Sequence, residues 1–280
     1  MGSEGPIRVG AVVTAVVAVI AAVAGIALAL PAHGPAGAGL SAPAGAGVAL
    51  PPVRASSPVD VPAPARVVPQ PVRVLPLGDS ITWGQGSPTE SSYRAPLWRM
   101  VAGQSRFSIR FVGEQVSGDL PEPANEGHRG YTIDQIAQNV DGWMAAARPD
   151  VVILHIGIND LAKNLDIPGA PDRLAALVNR IYRDRPGVSV VFMGLLPTTP
   201  GLVPQVAVYN ARAAALERVE RRAGRSFSYV TPPALTSTER VDRLHPDDTG
   251  YRLIAQAIFP VLSRTIADRE ATRTVQAAAR

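Results

Sequence analysis

From Arg73 onward, short apolar runs rich in β-branched residues alternate with amphipathic helical stretches, and this alternation constrains the fold more than any other feature. The runs are Arg73 to Leu77, Ile109 to Val112, Val151 to Ile156, Val188 to Leu196 and Phe227 to Val230. Helical patterns lie between them, at about Tyr93 to Ala102, Ile133 to Ala147, Asp172 to Arg185 and Gln205 to Ala223. A last helix runs from about Pro246 to Ala267. Near-continuous apolar strands separated by helices are the signature of a parallel sheet covered by helices on both faces. The expected fold class is α/β, with five parallel strands in a flavodoxin-like, doubly wound order and the ligand site at their carboxyl ends.

Everything before Arg73 reads differently. Val9 to Leu30 is 22 residues without a charge. At ~1.5 Å per residue, a helix of that length crosses a bilayer's hydrocarbon core. Arg8 precedes it and no charge follows until Arg54, which places the amino terminus in the cytoplasm and the rest outside. Its length suits a retained signal-anchor. Its alanine content and small-residue sites, Ala27-Leu28-Ala29 and Ala36-Gly37-Ala38, suit a cleaved signal peptide, and both readings stand. Residues 31–72 contain ten prolines among 42 residues, too many for a helix or a central strand, so they read as an extended, disordered Pro/Ala-rich linker. The expected organisation is an N-terminal membrane or signal segment (1–30), the linker (31–72), one folded domain (73–269) and a flexible tail (270–280). The folded domain would lie outside the cytoplasm, tethered to the membrane or secreted.

Composition excludes several classes of function. There is no cysteine, hence no disulfide framework and no thiolate metal site. The net charge of +4 is carried almost wholly by arginine, Lys163 being the single lysine. No arginine cluster is interleaved with aromatics, so nucleic acid is not an expected partner. No His-Glu-x-x-His or similar ligand spacing supports a metallohydrolase. Oligomeric state is not legible.

At the end of the first strand stands Gly78-Asp79-Ser80-Ile81, where an open α/β sheet places its chemistry. A serine hydroxyl is a weak nucleophile and needs a positioned base with its own orienting partner. Of the four histidines, His33 lies in the linker, His155 within the third strand, and His128 in a loop where a catalytic role stays open. His245, in Asp242-Arg243-Leu244-His245-Pro246, precedes the last helix. Pro246 suits the first helical position and biases His245 toward extended geometry. Asp242, three residues earlier, is placed to take the Nδ1–H of His245 and leave Nε2 for Ser80. A tetrahedral intermediate also needs donors for its oxyanion. The Ser80 N–H is one. Gly130 is another, just ahead of a helix whose start is marked by Thr132 and Gln135 at capping-box spacing. The Asn159 side-chain amide, directly after the third strand, is the third. Taken singly, Gly130 and Asn159 also fit a turn glycine and a helix-cap asparagine.

These residues together resemble the SGNH hydrolases, also called the GDSL esterase/lipase family. Gly78-Asp79-Ser80-Ile81 resembles the first family block. Gly130 in His128-Arg129-Gly130-Tyr131-Thr132 resembles the second, Gly157-Ile158-Asn159-Asp160 the third, and Asp242-x-x-His245 the fifth. Ile158 stands where threonine is frequent. The rival α/β-hydrolase elbow requires glycine two residues after the serine, where this chain has Thr82. The resemblance implies a three-layer α/β/α fold, no cofactor, and ester hydrolysis through an acyl-enzyme. Ser80 would be the nucleophile, His245 the base, Asp242 its orienting acid, and Ser80, Gly130 and Asn159 the oxyanion hole. Trp83, Arg129 and residues 197–204 are expected to line the pocket. The low aromatic content and lack of a long apolar lid point to a small acyl group on a polar, carbohydrate substrate. Lysophospholipase- or lipase-like activity and a non-catalytic surface binding module are the alternatives.

Overall fold

A computed structural model describes residues 70–279. The expected membrane or signal segment, and all of the linker up to residue 69, lie outside the described residues. Within them, no helix is long and apolar enough to cross a membrane. In chain order the elements are β1 (Val72–Gly78), α1 (Ser80–Trp83), α2 (Arg94–Ala102), β2 (Ile109–Phe111), β3 (Gln115–Val116), β4 (Ala124–Gly127), α3 (Ile133–Ala147), β5 (Val151–His155), α4 (Ile158–Ala162), α5 (Ala170–Asp184), β6 (Ser189–Met193), α6 (Val203–Arg222), β7 (Ser226–Val230) and α7 (Asp248–Ala278).

The sheet runs β3-β4-β1-β5-β6-β7, with β2 also on β1. β2 and β4 divide one edge of β1 between them: Val72 to Val74 pair with Ile109 to Phe111, and Leu77 and Gly78 pair with Glu126 and Gly127. Five parallel positions are therefore filled, as the alternation suggests, but the second is split between two short strands. A two-residue antiparallel strand, β3, pairs with β4. β5, every residue of it buried, lies on the other side of β1. The chain thus leaves β1 in one direction and returns past it to β5, so β1 is the topological switch point.

Alternate residues of the strands feed two cores. Leu75, Leu77, Val152, Leu154, Val190 and Phe192 pack under α3, α5 and α6. Val74, Ile153, Val191 and Met193 pack under α2 and α7. Burying one such side chain is worth about 1.5–3 kcal/mol, so burial on both faces fixes the strand register. The last helix departs from expectation at both ends. Pro246 lies before it, and Asp247 is the cap, its carboxylate accepting the Gly250 N–H at 2.8 Å. The helix also runs through the stretch expected to be a flexible tail, ending at Ala278 rather than near Ala267. Beyond Pro260 no proline or glycine interrupts it, and Arg269 and Arg273 anchor it to Asp150 at 2.7 and 2.9 Å.

Candidate active site

β1 ends in Gly78 because nothing larger fits: a Cβ there would lie 2.1 Å from the His155 carbonyl oxygen. Asp79 then caps α1, its Oδ1 accepting the Ile81 N–H at 2.9 Å. Ser80 is the first residue of that four-residue helix. Its hydroxyl lies 3.0 Å from His245 Nε2. On the far side of the ring, Nδ1 lies 2.7 Å from Asp242 Oδ2. A carboxylate only accepts, so Nδ1 carries the proton and Nε2 is left to accept from Ser80. The other Asp242 oxygen accepts the backbone N–H groups of Leu244 and His245, at 2.7 and 2.8 Å. Partial burial works to raise the Asp242 carboxyl, but the hydrogen bonds from His245 and Leu244 outweigh it and hold the group below the ordinary value. Asp242, His245 and Ser80, spread over 165 residues of chain, form one continuous relay.

Gly130 and Asn159 are joined at the neighbouring strand ends. Gly130 has φ +77°, a left-handed conformation that favours glycine. A Cβ there would meet nothing within 4 Å, so backbone conformation and not crowding selects the residue. The expected helix start follows, with Thr132 and Gln135 in a capping box. One Asn159 amide hydrogen goes to the Tyr131 carbonyl at 2.9 Å, leaving the second for a ligand. Lys163 Nζ donates to the Gly130 carbonyl at 2.7 Å, and the His128 N–H donates to the Gly78 carbonyl at 2.9 Å. These bonds tie the Gly130 loop to α4 on one side and to β1 on the other.

The other two histidines in the domain are structural. His128 stacks on Trp143 with ring centroids 4.4 Å apart and bonds buried Glu126 at 2.9 Å. His155 is buried with no partner for either ring nitrogen among the described residues, and burial lowers it to about 4. Asp79 is its counterpart: burial raises its carboxyl to about 7, and its Oδ2 has no partner among the described residues. Between about pH 4 and pH 7 both groups are uncharged in the folded chain.

Trp83 and Arg129 meet, the guanidinium standing 5.4 Å from the indole centroid and pairing with Glu90 at 2.7 Å. Arg94 escapes a reading from sequence. It is fully buried, with no carboxylate partner among the described residues, and donates to the carbonyls of Thr82, Trp83, Glu90, Ser117 and Pro123 at 2.8–3.1 Å. Burial lowers it to about 10, so it stays charged at neutral pH. Thr82 and Trp83 end the helix that begins with Ser80, so Arg94 clamps the turn that presents the hydroxyl. Its only sequence signal is a charged residue directly after Tyr93 at the start of an apolar helical pattern.

Residues 77–253 match the model of the GDSL-like lipase/acylhydrolase family. The chain is similar to a multidomain esterase of Ruminococcus flavefaciens, 26% identical over a 149-residue alignment that covers 45% of this chain and 19% of that protein. It therefore spans about a fifth of that relative's length. Among solved structures it is similar to a family 3 carbohydrate esterase of Clostridium thermocellum, at 32% identity and a TM-score of 0.65, covering 71% of this chain and 98% of that one. It is also similar to an acetyl esterase mutant solved with an acetate ion, at 26% identity and a TM-score of 0.56, covering 70% of this chain and 99% of that one.

Proposed function

The chain belongs to the GDSL-like lipase/acylhydrolase family and is a carboxylic ester hydrolase, and from that premise we propose that it is an exported serine esterase removing a small acyl group, acetyl, from a carbohydrate. The hydrogen-bonded relay from Asp242 through His245 to Ser80 carries this reading. Ser80 Oγ attacks the ester carbonyl carbon while its proton passes to His245 Nε2. The imidazolium so formed is stabilised by Asp242. The oxyanion takes hydrogen bonds from the N–H groups of Ser80 and Gly130 and from the free amide hydrogen of Asn159. His245 then gives its proton to the leaving alkoxide, and the sugar departs as an alcohol. Water attacks the acyl-serine by the same route in reverse, releasing the acid and restoring Ser80. No step calls for a cofactor or a metal.

Likeness to a carbohydrate esterase and an acetyl esterase supports the choice of substrate. Trp83 and Arg129, stacked together, offer a face for a sugar ring beside Ser80. Export rests on the charge-free stretch of residues 9–30. A hydrolysis panel tests the reading: acetylated oligosaccharides, 4-nitrophenyl esters from acetate to palmitate, and lysophosphatidylcholine. Acetyl esters are expected to be cleaved fastest, with rates falling as the acyl chain lengthens. Faster cleavage of palmitate or of the lysophospholipid would move the protein to the lipase alternative.

A further inference from the structure

A cavity of about 250 Å³ is lined by Ala162, Pro200, Gly201, Leu202, Arg243 and Leu244. Its walls belong to the segments that carry the reacting groups. Ala162 is on the short helix of Asn159, and Leu244 directly precedes His245. The volume lies just below the range of small-molecule pockets, which suits one sugar ring. It exceeds what an acetyl group fills and is too short for a long acyl chain. Pro200, Leu202 and Leu244 give it an apolar wall, against which the C–H face of a sugar can lie.

Its one charged wall residue is a cation, Arg243, and two further cations stand on the segments that adjoin the walls. Arg243 donates to the Pro200 carbonyl at 3.1 Å, Arg240 to the Thr198 carbonyl at 2.7 Å, and Lys163, next to Ala162, to the Gly130 carbonyl. All three bond to backbone, and none is in an ion pair among the described residues. The acids on the same loops are otherwise engaged: Asp242 with His245, and Glu239 with the Thr236 N–H. Other arginines nearby are paired, Arg129 with Glu90, and Arg173 with Asp134, Asp160 and Asp166. A neutral sugar has no use for an unpaired cation in the wall. A carboxylate does, since a guanidinium offers it charge-assisted, fork-shaped hydrogen bonding.

We propose that this cavity holds the alcohol part of the ester and that its preferred alcohol is a sugar bearing a carboxylate, a uronic acid residue. The proposal rests on the carbohydrate-esterase reading above and specifies its substrate class.

Two defined esters test it on the full chain: the mono-O-acetyl methyl glycosides of glucuronic acid and of glucose, which differ at one carbon. At low ionic strength kcat/KM is expected to be at least about tenfold higher for the acid, as one charge-assisted contact warrants. The ratio should shrink as salt is added. It should fall toward one in Arg243→Gln and be partly retained in Arg243→Lys. Because the readout is a ratio, a variant that folds poorly or misaligns His245 lowers both rates without imitating the effect. Equal kcat/KM for the two esters in the native chain would overturn the proposal and leave the carbohydrate-esterase reading standing. Cleavage of neither, with 4-nitrophenyl acetate still turned over, would overturn both. Faster cleavage of lysophosphatidylglycerol than of either sugar ester would also overturn the proposal, reassigning Arg243 to a lipid phosphate.

Discussion

At the amino ends of the strands, Asp150 has both oxygens taken. It accepts the Arg73 N–H at 3.1 Å and the guanidinium groups of Arg269 and Arg273 at 2.7 and 2.9 Å. At the carboxyl ends, Asn159 gives one amide hydrogen to Tyr131 and keeps the other, and the Ser80 hydroxyl faces a single nitrogen. The two ends use similar polar residues at similar burial. One is saturated and ties α7 to the sheet. The other is held by enough bonds to fix each side chain while leaving hydrogen-bonding capacity for a ligand. On the proposed mechanism, unfilled capacity distinguishes the end assigned the chemistry from the end that gives stability.

Substitutions sharpen or break that contrast. The largest effect is expected at Ser80: Ser80→Ala should abolish serine-dependent turnover on 4-nitrophenyl acetate while leaving the thermal midpoint close to native. Asn159→Ala should lower kcat by ~10²–10³, the usual loss for one oxyanion donor, and a smaller loss would count against the free amide hydrogen as a participant. Asp79→Asn probes the buried carboxyl beside Ser80, the proposed nucleophile. Its raised value means that native stability is fully present below the unfolded value near 4 and declines as pH climbs through about 7. Asparagine retains the cap and removes the ionisation, so the variant should gain on the order of 3 kcal/mol relative to native between pH 4 and pH 8, read by urea unfolding at both. Arg94→Met removes the donor shared by five backbone carbonyls, of which those of Trp83 and Pro123 keep a second donor in Ser117 and Asn125, and should cost roughly 3 kcal/mol, together with turnover, because the Ser80 turn loses its clamp. Asp150→Ala, at the saturated end, should cost about 1–3 kcal/mol by the same measurement with kcat/KM unchanged. A large catalytic loss there would blur the distinction between the two ends.

The parts of the molecule that sequence reveals are those with local signatures. β1, β5, β6 and β7 are apolar runs, and their order and the three-layer packing follow from them. The capping box ahead of α3 and the Asp242–His245 pair are legible because spacing alone encodes them. β3 and β4 are not, since Gln115-Val116 and Ala124-Asn125-Glu126-Gly127 carry no periodicity and become strands only through pairing with one another and with β1. α1 and α4 are too short to show a helical repeat. His128 looks like a free loop histidine until Trp143, fifteen residues on, closes over it. The reach of α7 past Glu270 depends on Asp150, more than a hundred residues away. Arg94 is the clearest omission, because five backbone carbonyls from separate loops have to converge before burying a charge there becomes tolerable.

The central claim is that Ser80, activated by His245 and Asp242, forms a covalent acyl-enzyme. Treatment of the native chain with a fluorophosphonate, followed by peptide mass mapping, tests it most directly. The expected result is one adduct, on Ser80, absent from Ser80→Ala and formed far more slowly in His245→Ala. An unlabelled protein that still hydrolyses esters, or an adduct on another residue, would contradict the account.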